Sequence, residues 1–263
     1  MNWYKKLLYP KSIAIIGASP KKGSIGYQLV KNNLEEGYKG EIYPVNPKYD
    51  KILGLKCYRT ILEIPKRADL AIIAVPSHVV IKVVEECVSK KVKGIIVVSS
   101  GFSETGTKEG KKMEEKLKKL VKDHGIRMIG PNVMGVYDSY TGMDSIFVPE
   151  ERMKRPRKGN ISFISQSGAL GIAVMDWLAQ NGMGISKFVS YGNGADVDES
   201  ALLEYLLNDK TTKVVVWYVE GLKSDGKKFI EIAKKVTKKK PVIVVKGGKS
   251  KKGSAAVKSH TGS

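Results

Sequence analysis

The sequence predicts an α/β protein made of two doubly wound parallel sheets in tandem. Three observations predict it. Short β-branched runs at 12–16, 42–45, 70–75, 94–98 and 126–129 are apolar throughout, as strands covered on both faces are. Amphipathic stretches at 25–36, 79–90 and 108–123 lie between them, so strand and helix alternate. Glycine and small polar residues follow the strands, at the sheet edge where such folds bind ligands.

In the 108–123 stretch Met113, Leu117, Leu120 and Val121 share one face at helical spacing, and the remaining Lys and Glu make a solvated face. The segment 149–159 (PEERMKRPRKG) is charged, carries two prolines and has no periodicity. It is expected to divide the chain into domains 1–148 and 149–263. A second series follows, with strands at 160–164, 185–190, 214–219 and 241–246 and helices at 169–181, 199–208 and 227–238. The last stretch, 247–263 (GGKSKKGSAAVKSHTGS), reads either as a tail or as a functional loop.

A chain of 263 residues suits two modest domains or one large one. With 42% hydrophobic and 27% charged residues, a disordered, collagenous or coiled-coil chain is excluded. The apolar runs are too short to span a bilayer, and MNWYKKLLYPKS lacks a secretory core. Cys57 and Cys87 share no metal-type spacing, so neither a disulfide framework nor a zinc site is expected, and a reducing cytoplasm is. The net charge of +20 suggests an anionic partner. Arginine, the better reader of bases and phosphates, is confined to Arg59, Arg67, Arg127, Arg152, Arg155 and Arg157. Nucleic acid and membrane are therefore not expected as partners. High Lys with Gln only at 28, 166 and 180 resembles a thermophile's composition.

Gly17, Gly23 and Gly26 punctuate a strand–turn–helix passage, where free N–H groups and the helix dipole favour an anion. The spacing matches neither G-x-G-x-x-G nor a Walker loop, and a turn needing glycine for its backbone alone fits as well. Asn46-Pro47-Lys48, Val75-Pro76-Ser77-His78 and Ser99-Ser100-Gly101 end the next three strands and converge on the same edge. Lys48 is a point charge suited to phosphate, while His78 reads as a helix-start residue. Gly130-Pro131-Asn132 is the fifth such loop. Ser165-Gln166-Ser167-Gly168 opens a helix; with no base beside Ser167 it reads as a phosphate cradle rather than a nucleophile elbow. Glu220 ends the run VVVWYVE and is either a cation partner, a general base or a plain strand-end charge. His260, among small residues, suits a mobile nucleophile, though tail histidines are common.

Taken together, IAIIGAS with GSIG, YPVNPK, AIIAVPS, VVSSGFSETG, RMIGPNVMGV, SFISQSGALG, YGNGADVD, Glu220 and KSHTGS occur in an order that covers almost the whole chain. In this the chain resembles the α-chain type of the nucleoside-diphosphate-forming acyl-CoA synthetases, which include succinyl-CoA synthetase α and archaeal ADP-forming acetate–CoA ligases. KSHTGS looks more like the acetate type. The resemblance implies a Rossmann-like CoA-binding domain followed by a flavodoxin-like doubly wound domain, the latter truncated, in a fragment or split-gene product. It implies that Gly17, Ser19, Gly23, Ser24, Ile25, Lys48, Val75, Pro76, Ser77, Ser99, Ser100 and Asn132 line CoA. It implies that Ser165, Ser167, Gly168 and Ala169 hold phosphate, that His260 is transiently phosphorylated, and that Glu220 orients it. CoA, phosphate and a small carboxylic acid are the implied substrates. ADP or ATP with Mg would sit on an ATP-grasp β subunit or fused domain, giving a hetero-oligomer. No resident metal is expected. Three other readings fit the sequence less well. A CoA-binding module would lack the SQSG and SHTGS motifs. An NAD oxidoreductase would need G-x-G-x-x-G and an acidic residue where Asn46 and Lys48 stand. A nucleic-acid binder has only the charge in its favour.

Overall fold

A computed structural model describes residues 4–248. A short helix α1 (Tyr4–Leu8) leads into β1 (Ser12–Ile16), α2 (Ile25–Glu35) and β2 (Glu41–Val45). After the small antiparallel pair β3 (Lys51–Ile52) and β4 (Leu55–Lys56) come β5 (Leu70–Ile73), α3 (Ser77–Ser89), β6 (Gly94–Val97), α4 (Lys108–Asp123) and β7 (Arg127–Ile129). β1, β5 and β6 are buried at every position, which is why their sequences do not alternate. Ser24 and Thr107 start α2 and α4 by accepting the N–H of Tyr27 and Gly110. The helix expected at 79–90 begins at Ser77, because Pro76 supplies a fixed backbone before the first turn.

The first sheet runs β2-β1-β5-β6-β7, all parallel. Winding reverses between β1 and β5, which makes that the switch point where ligands bind.

The second sheet begins earlier than the sequence suggests. β8 (Val136–Asp138) and β9 (Met143–Asp144) precede the charged stretch 149–159, yet β8 pairs antiparallel with β11 (Ile185–Ser190). The expected division at 148/149 thus falls beyond two strands of the second sheet. Nor is the charged stretch loose: Met153 is fully buried, and Arg155 places Nε 2.7 Å from Asp144 Oδ2 with both side chains buried. The rest of the sheet is β10 (Lys158–Ser165), β12 (Val214–Val219) and β13 (Val242–Lys246), in the order β13-β12-β10-β11-β8-β9. α5 (Gly168–Gln180), α6 (Glu199–Asn208) and α7 (Gly226–Thr237) connect the parallel strands. Winding here reverses between β10 and β12. The two halves share a core: Leu8, Ile13 and Ile129 belong to the same apolar cluster as Val189, Tyr205 and Trp217.

Candidate active site

The carboxyl ends of both sheets open on one cavity of about 620 Å³. Its first wall is formed by Val75, Pro76 and Ser77 after β5, Ser99 and Ser100 after β6, and Asn132 to Met134 after β7. The second wall comes from Gln166, Gly168 and Ala169 after β10, Gly192 and Asn193 after β11, and Lys223 after β12. Ile25, at the start of α2, and Phe147 complete it.

Several residues expected at CoA therefore meet in one wall: Ile25, Val75, Pro76, Ser77, Ser99, Ser100 and Asn132. Gly17, Ser19, Gly23, Ser24 and Lys48 do not line this cavity. Gly17, Ser19, Gly23 and Ser24 build the neighbouring turn after β1, and Lys48 stands in the loop after β2. At Gly17 φ is +93°, and a Cβ would stand 2.3 Å from the Ala74 carbonyl oxygen, so glycine lets the β1 and β5 turns touch at the switch point. A Cβ at Gly26 would fall 1.9 Å from the Gly17 oxygen, which seats α2 against the same turn. Ser19 Oγ accepts the Lys21 N–H at 3.1 Å, and exposed Lys48 donates its N–H to Asn46 Oδ1 at 2.9 Å. The Ser99 hydroxyl donates to the Val75 carbonyl at 2.5 Å and joins two strand ends.

In the second half, the serines expected as a cradle build the turn. Ser165 Oγ donates to the Ser167 carbonyl at 2.6 Å, and Ser167 Oγ caps α5 by accepting the Leu170 N–H at 3.4 Å. Gly168 and Ala169, the first two residues of α5, face the cavity with N–H groups that have no carbonyl one turn back. Met134 packs directly against Gly168, where a Cβ would lie 3.1 Å from the methionine Cβ.

Glu220 is buried just beyond the cavity wall. Its N–H donates to Gln166 Oε1 at 2.8 Å, its carbonyl accepts Lys246 Nζ at 2.6 Å, and its Oε1 accepts the Tyr218 hydroxyl at 3.3 Å. Burial, and then the Glu220 charge, push the Tyr218 phenol above its ordinary value. His260 lies outside the described residues. Among the described residues no cluster of three or more His, Cys, Asp or Glu could hold a metal ion, and no helix is long and apolar enough to cross a membrane.

Sequence reasoning took Gln166 only as part of the Ser165-Gln166-Ser167-Gly168 cradle and Asn193 only as part of YGNGADVD, and gave neither side chain a role of its own. Gln166 stood in plain view between two serines, but what gives it a role is β12, more than fifty residues away. Asn193 Nδ2 donates to Glu104 Oε2 at 2.7 Å and to Glu114 Oε2 at 2.6 Å, linking the halves at the cavity rim. Glu104 Oε1 in turn accepts the N–H groups of Gly101 and Phe102, which fixes the loop after β6. The available signal was an asparagine between glycines (Gly192-Asn193-Gly194) at a strand end.

Comparison with known proteins gives a description to each half. Residues 11–139 match the family described as "CoA binding domain", and residues 158–263 match "Succinyl-CoA ligase like flavodoxin domain". The "Acetate--CoA ligase [ADP-forming]" of Methanocaldococcus jannaschii is 48% identical over 98% of this chain and 35% of its own length. The "Acetate--CoA ligase [ADP-forming] I subunit alpha" of Pyrococcus furiosus is 46% identical over 98% of this chain and 55% of its own length. Among solved structures, the Ca. Korarchaeum cryptofilum dinucleotide forming acetyl-coenzyme A synthetase 1, in complex with phosphate and ADP, superposes with a TM-score of 0.92. It is 40% identical, over 100% of this chain and 55% of that one. The chain thus spans about a third to a half of the length of these relatives.

Proposed function

Because this chain belongs to the NDP-forming acyl-CoA synthetases of α-chain type, we propose that it is the CoA-binding and phosphohistidine part of such an enzyme. The reaction is acyl-CoA + phosphate + ADP = carboxylic acid + CoA + ATP. A phosphate oxygen attacks the thioester carbonyl, the C–S bond breaks, and acyl phosphate and CoA result. His260 then attacks phosphorus, the bond to the acyl oxygen breaks, and the carboxylate leaves. Finally the P–N bond breaks as an ADP oxygen takes the phosphoryl group, on an ATP-grasp subunit or fused domain that holds the nucleotide with Mg. Acetate, named for the Methanocaldococcus and Pyrococcus relatives, is the acid we assign. The working protein is a cytoplasmic hetero-oligomer or a fusion.

The observation that carries this reading is the single cavity shared by both carboxyl edges. On one side the loops after β5, β6 and β7 would hold the thiol end of CoA, with Gly17, Ser19, Gly23, Ser24 and Lys48 beside them for its phosphates. On the other, the α5 start presents Gly168 and Ala169 to an anion, framed by Ser165 and Ser167. Thioester and phosphate would thus be brought together in one cavity, and phosphoryl transfer depends mainly on such positioning and charge stabilisation. Glu220, behind Gln166, would hold the ring of His260 in the tautomer that leaves the attacking nitrogen unprotonated.

The test is calorimetric titration of the chain with CoA, with NADH as control. Saturable CoA binding that is lost in Lys48→Glu supports the assignment. NADH binding in place of CoA overturns it. Labelled phosphate transferred from ATP, with the ATP-grasp partner present, should mark the wild-type chain and not His260→Ala.

A further inference from the structure

Gln166 directly follows β10 at the switch point of the second sheet and is 4% exposed. The neighbouring strand end supplies two donors to it: the N–H groups of Glu220, at 2.8 Å, and Gly221, at 3.2 Å, both end on Oε1. Two backbone donors can only meet the carbonyl oxygen of a side-chain amide, so this chemistry fixes which branch is oxygen. The backbone is fixed as well, since the Gln166 N–H donates to the Tyr218 carbonyl at 3.1 Å. Nε2 is then held on the other branch, and among the described residues it makes no hydrogen bond. The residue forms part of the cavity wall together with Gly168 and Ala169. Nε2 is thus an amide donor with no protein acceptor among the described residues, on a residue that lines the cavity beside a helix start that favours anions.

We propose that Gln166 Nε2 is a third donor of the anion cradle, hydrogen-bonding an oxygen of inorganic phosphate and then of the phosphoryl group in transit. The inference rests on the ligase reading above and adds a catalytic residue to it. A neutral donor suits the task. It is preorganised by β12 and needs no rearrangement when charge shifts, and it lacks the full charge that would hold the phosphoryl group back. The same side chain holds the backbone of Glu220 through its oxygen, so the anion cradle and the carboxylate strand are set by one amide.

Two substitutions separate the two branches. Gln166→Glu keeps an oxygen for the Glu220 and Gly221 N–H groups and replaces the amide donor with a second oxygen. Gln166→Met keeps length and burial and removes both functions. The assay is the KM for inorganic phosphate of the chain assembled with its ATP-grasp partner, together with the CoA affinity of each variant. Gln166→Glu loses one hydrogen bond to a charged group and adds a repelling charge, so it should raise the phosphate KM by at least roughly tenfold to a hundredfold and leave CoA affinity unchanged. Gln166→Met should raise it less, because it adds no repulsion. Wild-type behaviour of Gln166→Glu, with or without a defect in Gln166→Met, overturns the inference and leaves the ligase reading standing. A wild-type assembly that consumes no phosphate overturns both. A second measurement needs no variant. The chain has three glutamines, so selective ¹⁵N labelling gives three side-chain amide pairs. Saturating inorganic phosphate should move one of them, and three unmoved pairs would refute the contact.

Discussion

The two edges of the second sheet both carry buried polar side chains, and they use them differently. At the amino edge Lys187, fully buried on β11, places Nζ 3.2 Å from Asp209 Oδ2, 3.3 Å from Asp138 Oδ2 and 2.7 Å from Thr211 Oγ1. The Tyr9 hydroxyl, just after α1, donates to Asp209 Oδ1 at 2.7 Å, and its ring centroid stands 5.0 Å from Nζ. This cluster spends its donors internally and fastens the start of the chain to the second sheet. At the carboxyl edge the N–H groups at the α5 start and the Gln166 amide face a cavity. A polar cluster closed on itself is a joint, while one with donors to spare is a site, and burial alone does not tell them apart.

The largest test of this contrast falls on the joint. Lys187→Met leaves Asp138 and Asp209 buried without their cation and should cost about 3–5 kcal/mol. Thermal unfolding would show it as a large fall in Tm. At temperatures where the variant is folded, its CoA affinity should equal that of the wild type. A neutral effect on Tm would mean that the cluster is replaceable and the contrast false.

The next effect is a pH dependence. Burial by itself would raise the Asp209 carboxyl. The Thr212 hydroxyl, the Lys187 cation and the Tyr9 hydroxyl outweigh it and hold the group at about 2, against an ordinary value of 3.8. A carboxylate held low contributes stability that is complete above its unfolded value and is lost as pH falls through the folded one. Asp209 should therefore add about 2 kcal/mol above pH ~4, fading as the pH falls toward 2. Urea titrations of the wild type and Asp209→Asn from pH 6 downward should converge over that window. A gap between them that does not depend on pH would assign the loss to packing instead.

What could be read without the structure follows the same division between local and distant causes. β1, β5 and β6 were legible because their short β-branched runs are buried at every position, and α4 because Met113, Leu117 and Val121 recur at helical spacing. β8 and β9 were not. They are three and two residues long, and their place depends on β11, some fifty positions on. The stretch 149–159 looked like a linker because charge and proline mark exposure, yet Arg155 is drawn inward by Asp144. At the site, the glycines and serines announced turns and a helix start. Gln166, Asn193 and Glu104 acquire their meaning only when two strand ends are brought side by side.

Asn193 offers a smaller test, at the rim where the halves meet. Asn193→Ala removes the amide that Glu104 and Glu114 share and should cost about 1–2 kcal/mol. Its signature is selective. The loop after β6 loses its tie to the second half, so the KM for CoA should rise while Asp209-dependent acid stability stays as in the wild type. Parallel losses in both would show the rim to be only another part of the joint.

The smallest effect is the most discriminating. Ser167 caps α5 through a 3.4 Å contact to the Leu170 N–H, so Ser167→Ala should cost only about 0.5–1 kcal/mol. Ser167→Asp keeps a capping oxygen and adds a negative charge that the helix start favours, so stability should be retained. That charge, however, occupies the position proposed for phosphate. If this edge is a site, Ser167→Asp should unfold at the wild-type temperature and bind inorganic phosphate poorly, and stability and function would part at one residue. No substitution at the Lys187 cluster should produce that separation. If Ser167→Asp keeps wild-type phosphate affinity, the α5 start is no more than a well-capped helix, and the open edge and the closed edge are alike.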